Sequence, residues 1–358
     1  MLSSIEKIYA TLIDREYQQE LFKELPLFQR KGTGFIARCP YHEDSMPTLL
    51  IYGNRPEYFC FACSARGDWI GFLMRTHKIS FHEAAAMLAQ ASGTMLRDCS
   101  EELWEQELFM TRVIESAMES YIAQLWSKPG EDVLHYLYKR GYAMGEVEAM
   151  SLGYYPGYEQ TMETLVGQGF NRVSLETAFD RFWNTGIDSP GLVIPYRDMA
   201  GRLMGLVYKD MRTAGPESYC FLTDSSRLKD IPFLMYRSRG RKDIIVVEGF
   251  FDALLVDHVR LKPVIGIGAE KHAEDKIAAA SSFGADHFIL ALGNGERQRD
   301  ATRHAIEKIR CMGLSASVLP MPDKYKDLDE YIRMTCLDQF RAALKKLVRY
   351  DKWLEKEK

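Results

Sequence analysis

Asp243-Ile244-Ile245-Val246-Val247-Glu248-Gly249-Phe250-Phe251-Asp252 is the stretch on which the reading of this chain turns. An apolar run of strand length ends on an acid and a glycine, and a helix-length segment follows. Further short apolar runs lie at 263–268, 287–292 and 315–319, separated by helix-like segments at 250–258, 273–283 and 297–312. Alternating strand and helix predicts an α/β domain with a mostly parallel sheet, whose ligands gather at the carboxyl ends of the strands. The polar residues fall there: Glu248 and Asp252 after the first strand, Gly293 to Glu296 after the third, and Asp327 and Asp329 after the fourth. Asp252 reads as a first-turn helix residue rather than a ligand. For Glu248 the competing role is charge placement at a helix start, a modest effect of about 0.3–1 kcal/mol.

At 358 residues the chain has room for two or three domains. Its 46% hydrophobic and 27% charged residues are ordinary for a globular protein. No apolar run nears the ~20 residues that cross a bilayer, and the start lacks the pattern of a signal peptide, so a cytoplasmic protein without a membrane partner is expected. A net charge of −4 gives no global attraction to nucleic acid, so such binding must rest on local basic patches.

Cysteines are unevenly placed. Cys39-Pro40-Tyr41-His42 is followed, seventeen residues on, by Cys60-Phe61-Ala62-Cys63. Three thiolates and an imidazole on two tight turns make a tetrahedral Zn²⁺ set, and four protein ligands make the ion structural. The apolar segment between the pairs predicts a hairpin. Ser80, with Glu83 three residues on, predicts a capped helix over 80–91. Arg97 to Glu107 reads as a linker, and 108–138 as helix broken at Pro129-Gly130. Between Arg197 and Lys242 ten basic residues face five acids, a local excess that suits phosphates or forms a solvated face. The last stretch, 337–358, predicts one basic amphipathic helix.

The motifs resemble those of bacterial DnaG-type primases. His42-Glu43-Asp44-Ser45-Met46-Pro47-Thr48, the run from Phe59 to Ile70, and Ile79-Ser80-Phe81-His82-Glu83-Ala84 are similar to that family's zinc ribbon. Arg140-Gly141-Tyr142, 151–156, 191–198 and 201–206 resemble the amino-terminal half of its core. The 243–332 region resembles its toprim domain, through Glu248 in Glu-Gly-Phe-Phe-Asp and through Lys326-Asp327-Leu328-Asp329-Glu330-Tyr331. A topoisomerase shares the toprim module, but the ribbon here is of primase type. Where the family's middle motif has Asp-x-Asp, this chain reads Gly293-Asn294-Gly295.

The resemblance implies a zinc ribbon at 1–95, an amino-terminal core subdomain with a basic groove at 96–242, a Rossmann-like toprim domain at 243–332 and a helix at 333–358. It implies primer synthesis: metal-dependent nucleotidyl transfer from ribonucleoside triphosphates on a single-stranded DNA template. Glu248, Asp327 and Asp329 would hold Mg²⁺ or Mn²⁺, Lys209, Arg227 and Lys229 would contact nucleotide or template, and a replicative helicase is a candidate partner. Arg38, Arg55, Arg66 and Arg75 with Tyr58, Phe59 and Phe61 would supply phosphate contacts and stacking faces, against ribbon-core packing as the other role. The chain ends without the helicase-binding domain of full-length primases, as in compact enzymes of phages or mobile elements. The glycines leave three readings open. Glu296, Asp300 or Asn294 compensates; the site loads no metal and the protein is a zinc-stabilised nucleic-acid-binding or replisome adaptor; or the turn lets phosphate approach the backbone.

Overall fold

The computed structural model describes residues 4–96, 100–213, 218–226, 228–268, 273–325 and 327–356. The chain divides into two compact units, Met1–Val113 with Arg197–Met204, and Ile114–Tyr196 with Gly205–Lys358.

In the first unit, α1 (Ser4–Asp14) and α2 (Gln18–Phe22) lead into five short strands: β1 (Gln29–Lys31), β2 (Gly34–Ala37), β3 (Leu49–Ile51), β4 (Glu57–Cys60) and β5 (Arg66–Asp68). They form an antiparallel sheet in sequence order. β3 and β4 are the hairpin expected between the ligand pairs, with Leu49 opposite Cys60. Two helices close the sheet, α3 (Trp69–His77) and α4 (Phe81–Ser92). Glu83 caps Ser80 reciprocally, and Gly93 at φ 71° ends α4. Tyr9, Phe22, Tyr58, Trp69, Phe72 and Phe81 fill the core.

A buried carboxylate ties this core together. Asp68 accepts hydrogen bonds from Tyr9 Oη (2.7 Å), Trp104 Nε1 (3.0 Å) and the Gly71 N–H (2.8 Å). Trp104 belongs to α5 (Glu101–Leu125), which starts inside the stretch expected as a linker. The charges there lie on the outer face, while Trp104, Met110 and Val113 turn inward at helical spacing. Cys99 and the start of the expected linker, 97–98, fall outside the described residues. The segment Arg197–Met204 also packs into this unit: Met199 and Ala200 are fully buried, and Arg202 pairs with Asp198 at 2.8 Å beneath the Tyr9 ring.

The second unit begins along α5 and, after the turn Lys128–Gly130 at the expected break, continues through α6 (Glu131–Lys139) and α7 (Met144–Ala149). Next come β6 (Gly153–Tyr155), α8 (Tyr158–Gly167), α9 (Arg172–Phe182), β7 (Gly191–Arg197), β8 (Leu203–Asp210) and β9 (Tyr219–Phe221). The four strands form one sheet, in which β7 and β8 are the expected hairpin. A short α10 (Met235–Ser238) leads to β10 (Asp243–Val247), α11 (Phe250–Val259), β11 (Val264–Gly266), α12 (Ala273–Ser282), β12 (His287–Leu290), α13 (Glu296–Cys311) and β13 (Ser315–Val318). These strands are parallel, in the order β11-β10-β12-β13, and match the predicted ones within a residue or two. Ile244 to Val247 are wholly buried, as a strand covered on both faces must be. The connection reverses between β10 and β12, which places the ligand crevice beside Glu248.

The chain closes with α14 (Leu328–Met334), α15 (Leu337–Leu344), β14 (Val348–Arg349) and α16 (Tyr350–Lys356). The single helix expected over 337–358, and the 333–358 segment drawn as one helix, are thus corrected. Val348 and Arg349 pair antiparallel with Val318 and Ser317, which satisfies the open edge of β13 and interrupts the helix.

Candidate metal centres and nucleic-acid interface

Cys39 and His42 sit after β2, Cys60 ends β4, and Cys63 lies on the turn that follows it. Their four ligand atoms lie within 4.8 Å of one another. Sγ of Cys39 is 3.8 Å from Sγ of Cys63, and Sγ of Cys60 is 4.0 Å from Nδ1 of His42. A zinc–sulfur bond of ~2.3 Å gives a tetrahedral edge of about 3.8 Å, so these two edges are close to those of a zinc set. Burial pushes the Cys39 thiol up to about 12. Against its own burial, Cys60 is drawn down to about 7, chiefly by the Cys63 N–H, and its sulfur lies 3.3 Å from the Thr48 hydroxyl. Thr48 in turn donates to Asp44 at 2.7 Å, and the same carboxylate accepts the Cys39 N–H at 2.9 Å. Those bonds, Cys39 foremost, lower Asp44 to about 2. Asp44 thereby locks the ligand turn from outside the metal set.

Of the aromatics singled out in this ribbon, Tyr58 is core, 1% exposed. Phe61 is 67% exposed and stands edge-on to Phe59, ring centres 5.2 Å apart. Arg66 lies opposite Phe59 on the neighbouring strand. Arg55 stacks on Tyr52 at 3.8 Å and pairs with Glu57, while Arg38 donates to the Ser45 carbonyl. Arg75 leans over Tyr41. Arg112 was missed from sequence. Burial first, then the charges of Arg66 and Arg75, hold it below its usual value, so three guanidiniums share one field.

The acids of the second unit are engaged. Glu248 lies at the end of β10 with its side chain 23% exposed. Arg297 forms an ion pair with its Oε1, and Gln298 donates to its Oε2 at 3.3 Å. Asp327 caps α14, accepting the Glu330 N–H at 2.9 Å. Asp329 is buried and receives Tyr142 Oη at 2.5 Å, Arg140 at 2.8 Å and Arg333 at 3.1 Å. Its own N–H donates to Asp252 at 2.8 Å. Asp252 is therefore more than a first-turn helix residue. Burial, then the neighbouring Asp327 charge, lifts it to about 7. Lys326 falls outside the described residues.

Of the candidate compensating residues, Asn294 donates from Nδ2 to the Pro322 carbonyl at 2.9 Å and stitches two loops together. Glu296 is exposed, and Asp300 pairs with Arg303 at 2.5 Å. Among the described residues, the only group of three or more His, Cys, Asp or Glu side chains close enough to hold an ion is the zinc set. Glu248, Asp327 and Asp329 are not gathered into such a group, and each carboxylate is held by partners within the chain. A pocket of about 370 Å³ opens beside Glu248 between α12 and α13, with an apolar floor that includes Ile267, Ile277 and Leu292.

Of the nucleotide contacts expected in this unit, Lys209 is 4% exposed. Its ammonium donates to Ser218 Oγ at 3.1 Å and lies between the rings of Tyr136 and Tyr219; desolvation lowers its pKa. It is a packed residue, not a surface contact. Lys229 is exposed, and Arg227 falls outside the described residues.

A CHC2 zinc finger model matches residues 5–102, the ribbon. The chain as a whole is similar to DnaG-type primases. The DNA primase of Thermotoga maritima is 24% identical over 355 residues, covering 94% of this chain and 60% of its own length. That of Chlamydia trachomatis is 23% identical over 327 residues, covering 88% and 55%. The chain therefore spans little more than half the length of these relatives. Among solved structures, the Aquifex aeolicus primase with its zinc-binding and RNA polymerase domains aligns at TM-score 0.60 and 20% identity, over 97% of this chain and 86% of that one. A DnaG primase catalytic domain bound to single-stranded DNA aligns at 0.59 and 17%, over 71% and 83%. The DnaG-like fold thus extends from ribbon through parallel sheet.

Proposed function

We propose that this chain is a DnaG-like protein that binds single-stranded DNA and has given up metal-dependent nucleotidyl transfer. One observation carries the loss. All three acids that the resemblance assigns to magnesium have their carboxylates engaged within the chain: Glu248 by Arg297 and Gln298, Asp327 by its own helix, and Asp329 by Arg140, Tyr142 and Arg333. Nucleotidyl transfer draws on metal ions to activate the attacking oxygen and steady the leaving group.

The binding half of the proposal rests on the ribbon. Phe61 offers an open ring, and Arg66, Arg75 and Arg112 offer clustered charge for a phosphate backbone. A solved relative's catalytic domain is itself described as bound to single-stranded DNA.

A second reading, primer synthesis from ribonucleoside triphosphates, is favoured by the names of the relatives. One pair of measurements separates the two. Fluorescence anisotropy with a labelled oligonucleotide is expected to give salt-sensitive binding. Incubation with labelled ribonucleotides on single-stranded template, with Mg²⁺ or Mn²⁺, is expected to give no primer. Primers that vanish in Glu248→Gln establish the second reading.

A further inference from the structure

We propose that Arg297 and Gln298 occupy the place of a divalent cation, so that this site has exchanged a bound metal for a built-in positive charge. The inference rests on the reading above and goes further, because it says what excludes the metal. Loss of the acids at 293 and 295 is only half of the change.

Three observations meet at one point. Arg297 and Gln298 are the second and third residues of α13, and both side chains turn back to the Glu248 carboxylate, one to each oxygen. A guanidinium on a carboxylate delivers the positive charge that a metal would otherwise bring. A Cβ built on Gly295 would run into Gln298 Oε1, the mobile end of that side chain, so a side chain at 295 would turn Gln298 away from its place beside Glu248. Gly293, at φ 117°, is fixed for a different reason: its backbone lies where side chains are disfavoured. The turn and the first turn of α13 form one self-consistent arrangement around Glu248.

A cation approaching Glu248 meets a like charge on Arg297 and must also break its ion pair. Restoring an acid alone does not open the site. At 295 it need only displace the end of Gln298, and the carboxylate placed there adds a second partner for Arg297, which stays on Glu248.

The test measures Mn²⁺ binding by the loss of the free-ion electron paramagnetic resonance signal, on the full chain already loaded with zinc. The soft thiolate set then keeps its own ion. Five proteins are compared: wild type, Glu248→Gln, Gly295→Asp, Gly295→Asp/Arg297→Ala/Gln298→Ala, and that triple variant with Glu248→Gln. Binding at millimolar Mn²⁺ is expected only in the triple variant, and its loss is expected when Glu248→Gln is added. Binding by wild type that Glu248→Gln abolishes overturns the inference. So does Gly295→Asp binding as tightly as the triple variant.

Should the triple variant not fold, Arg297→Ala/Gln298→Ala carries the same question without the new acid. It is expected to raise Mn²⁺ affinity at least roughly tenfold over wild type, and an unchanged affinity overturns the inference. Primer synthesis by the wild-type protein defeats the proposed function instead. An inactive wild type in which Gly295→Asp alone binds Mn²⁺ leaves that function standing and defeats only the role of Arg297.

Discussion

Asp252 shows how one side chain carries both architecture and pH response. It is 9% exposed and accepts the Asp329 N–H. Its folded pKa, about 7, stands above the ordinary 3.8, so the native state holds this proton more tightly than the unfolded chain. The resulting stabilisation is full below the unfolded value, shrinks as pH rises and is gone above about 7. Asp252→Asn, neutral at every pH, is therefore expected to gain on wild type between pH 5 and pH 8. Thermal unfolding at the two pH values checks this, and a constant difference between the proteins counts against it. Asp329→Ala leaves Arg140 and Arg333 facing each other without their shared carboxylate. A loss of about 2–4 kcal/mol is expected by urea denaturation, less than for a fully buried pair because Arg140 keeps 29% of its side-chain exposure. Arg112→Ala is expected to weaken oligonucleotide binding and to flatten its salt dependence, the logarithmic slope falling by about 0.7 for each phosphate that is no longer neutralised. Anisotropy titrations at three salt concentrations read both.

Elements were readable from sequence wherever one period dominated. The strands β10 to β13 are continuous apolar runs because both faces are covered, and α4 announced itself through Ser80 and Glu83. The reading failed where tertiary pairing overrode local pattern. Val348 and Arg349 lie within a helical period, yet the edge of β13 takes them as a strand. Glu101 to Glu107 looked like a charged linker because only Trp104 marks its inward face. The site was readable at the zinc, where ligand spacing is itself the geometry. At the acids, residue type gave position but not partners: nothing in Asp329 foretells Arg140, 189 positions away. Arg112 belongs to the same class, the one basic residue on a long helix rich in glutamate, whose cationic neighbours come from the ribbon. Ser80→Ala tests the element scale, with about 1 kcal/mol expected from removal of the cap and a matching fall in melting temperature.

At the scale of the molecule, the two units rely on different sources of stability. The first has short strands of three or four residues, and its turns converge on four metal ligands. A sheet of that size draws a large share of its folding free energy from the ion. The second encloses a parallel sheet whose central strands are buried from their second residue onward, a core large enough to need no such ion. Chelation of zinc, or Cys60→Ser, is expected to unfold the first unit and abolish DNA binding while the second stays folded. Limited proteolysis would then leave the parallel-sheet region protected; digestion of both units together, or neither, speaks against this division.

The segment Arg197–Met204 has a bearing on how such a protein is inherited. Met199 and Ala200 complete the packing of an amino-terminal unit that is otherwise encoded nearly a hundred codons upstream, and the Met199 N–H reaches Glu6. A gene cut after residue 113 would release a ribbon with a gap in its interior. The zinc-bearing part is therefore no interchangeable cassette, and shuffling it onto another protein would require that the new host bring its own matching plug.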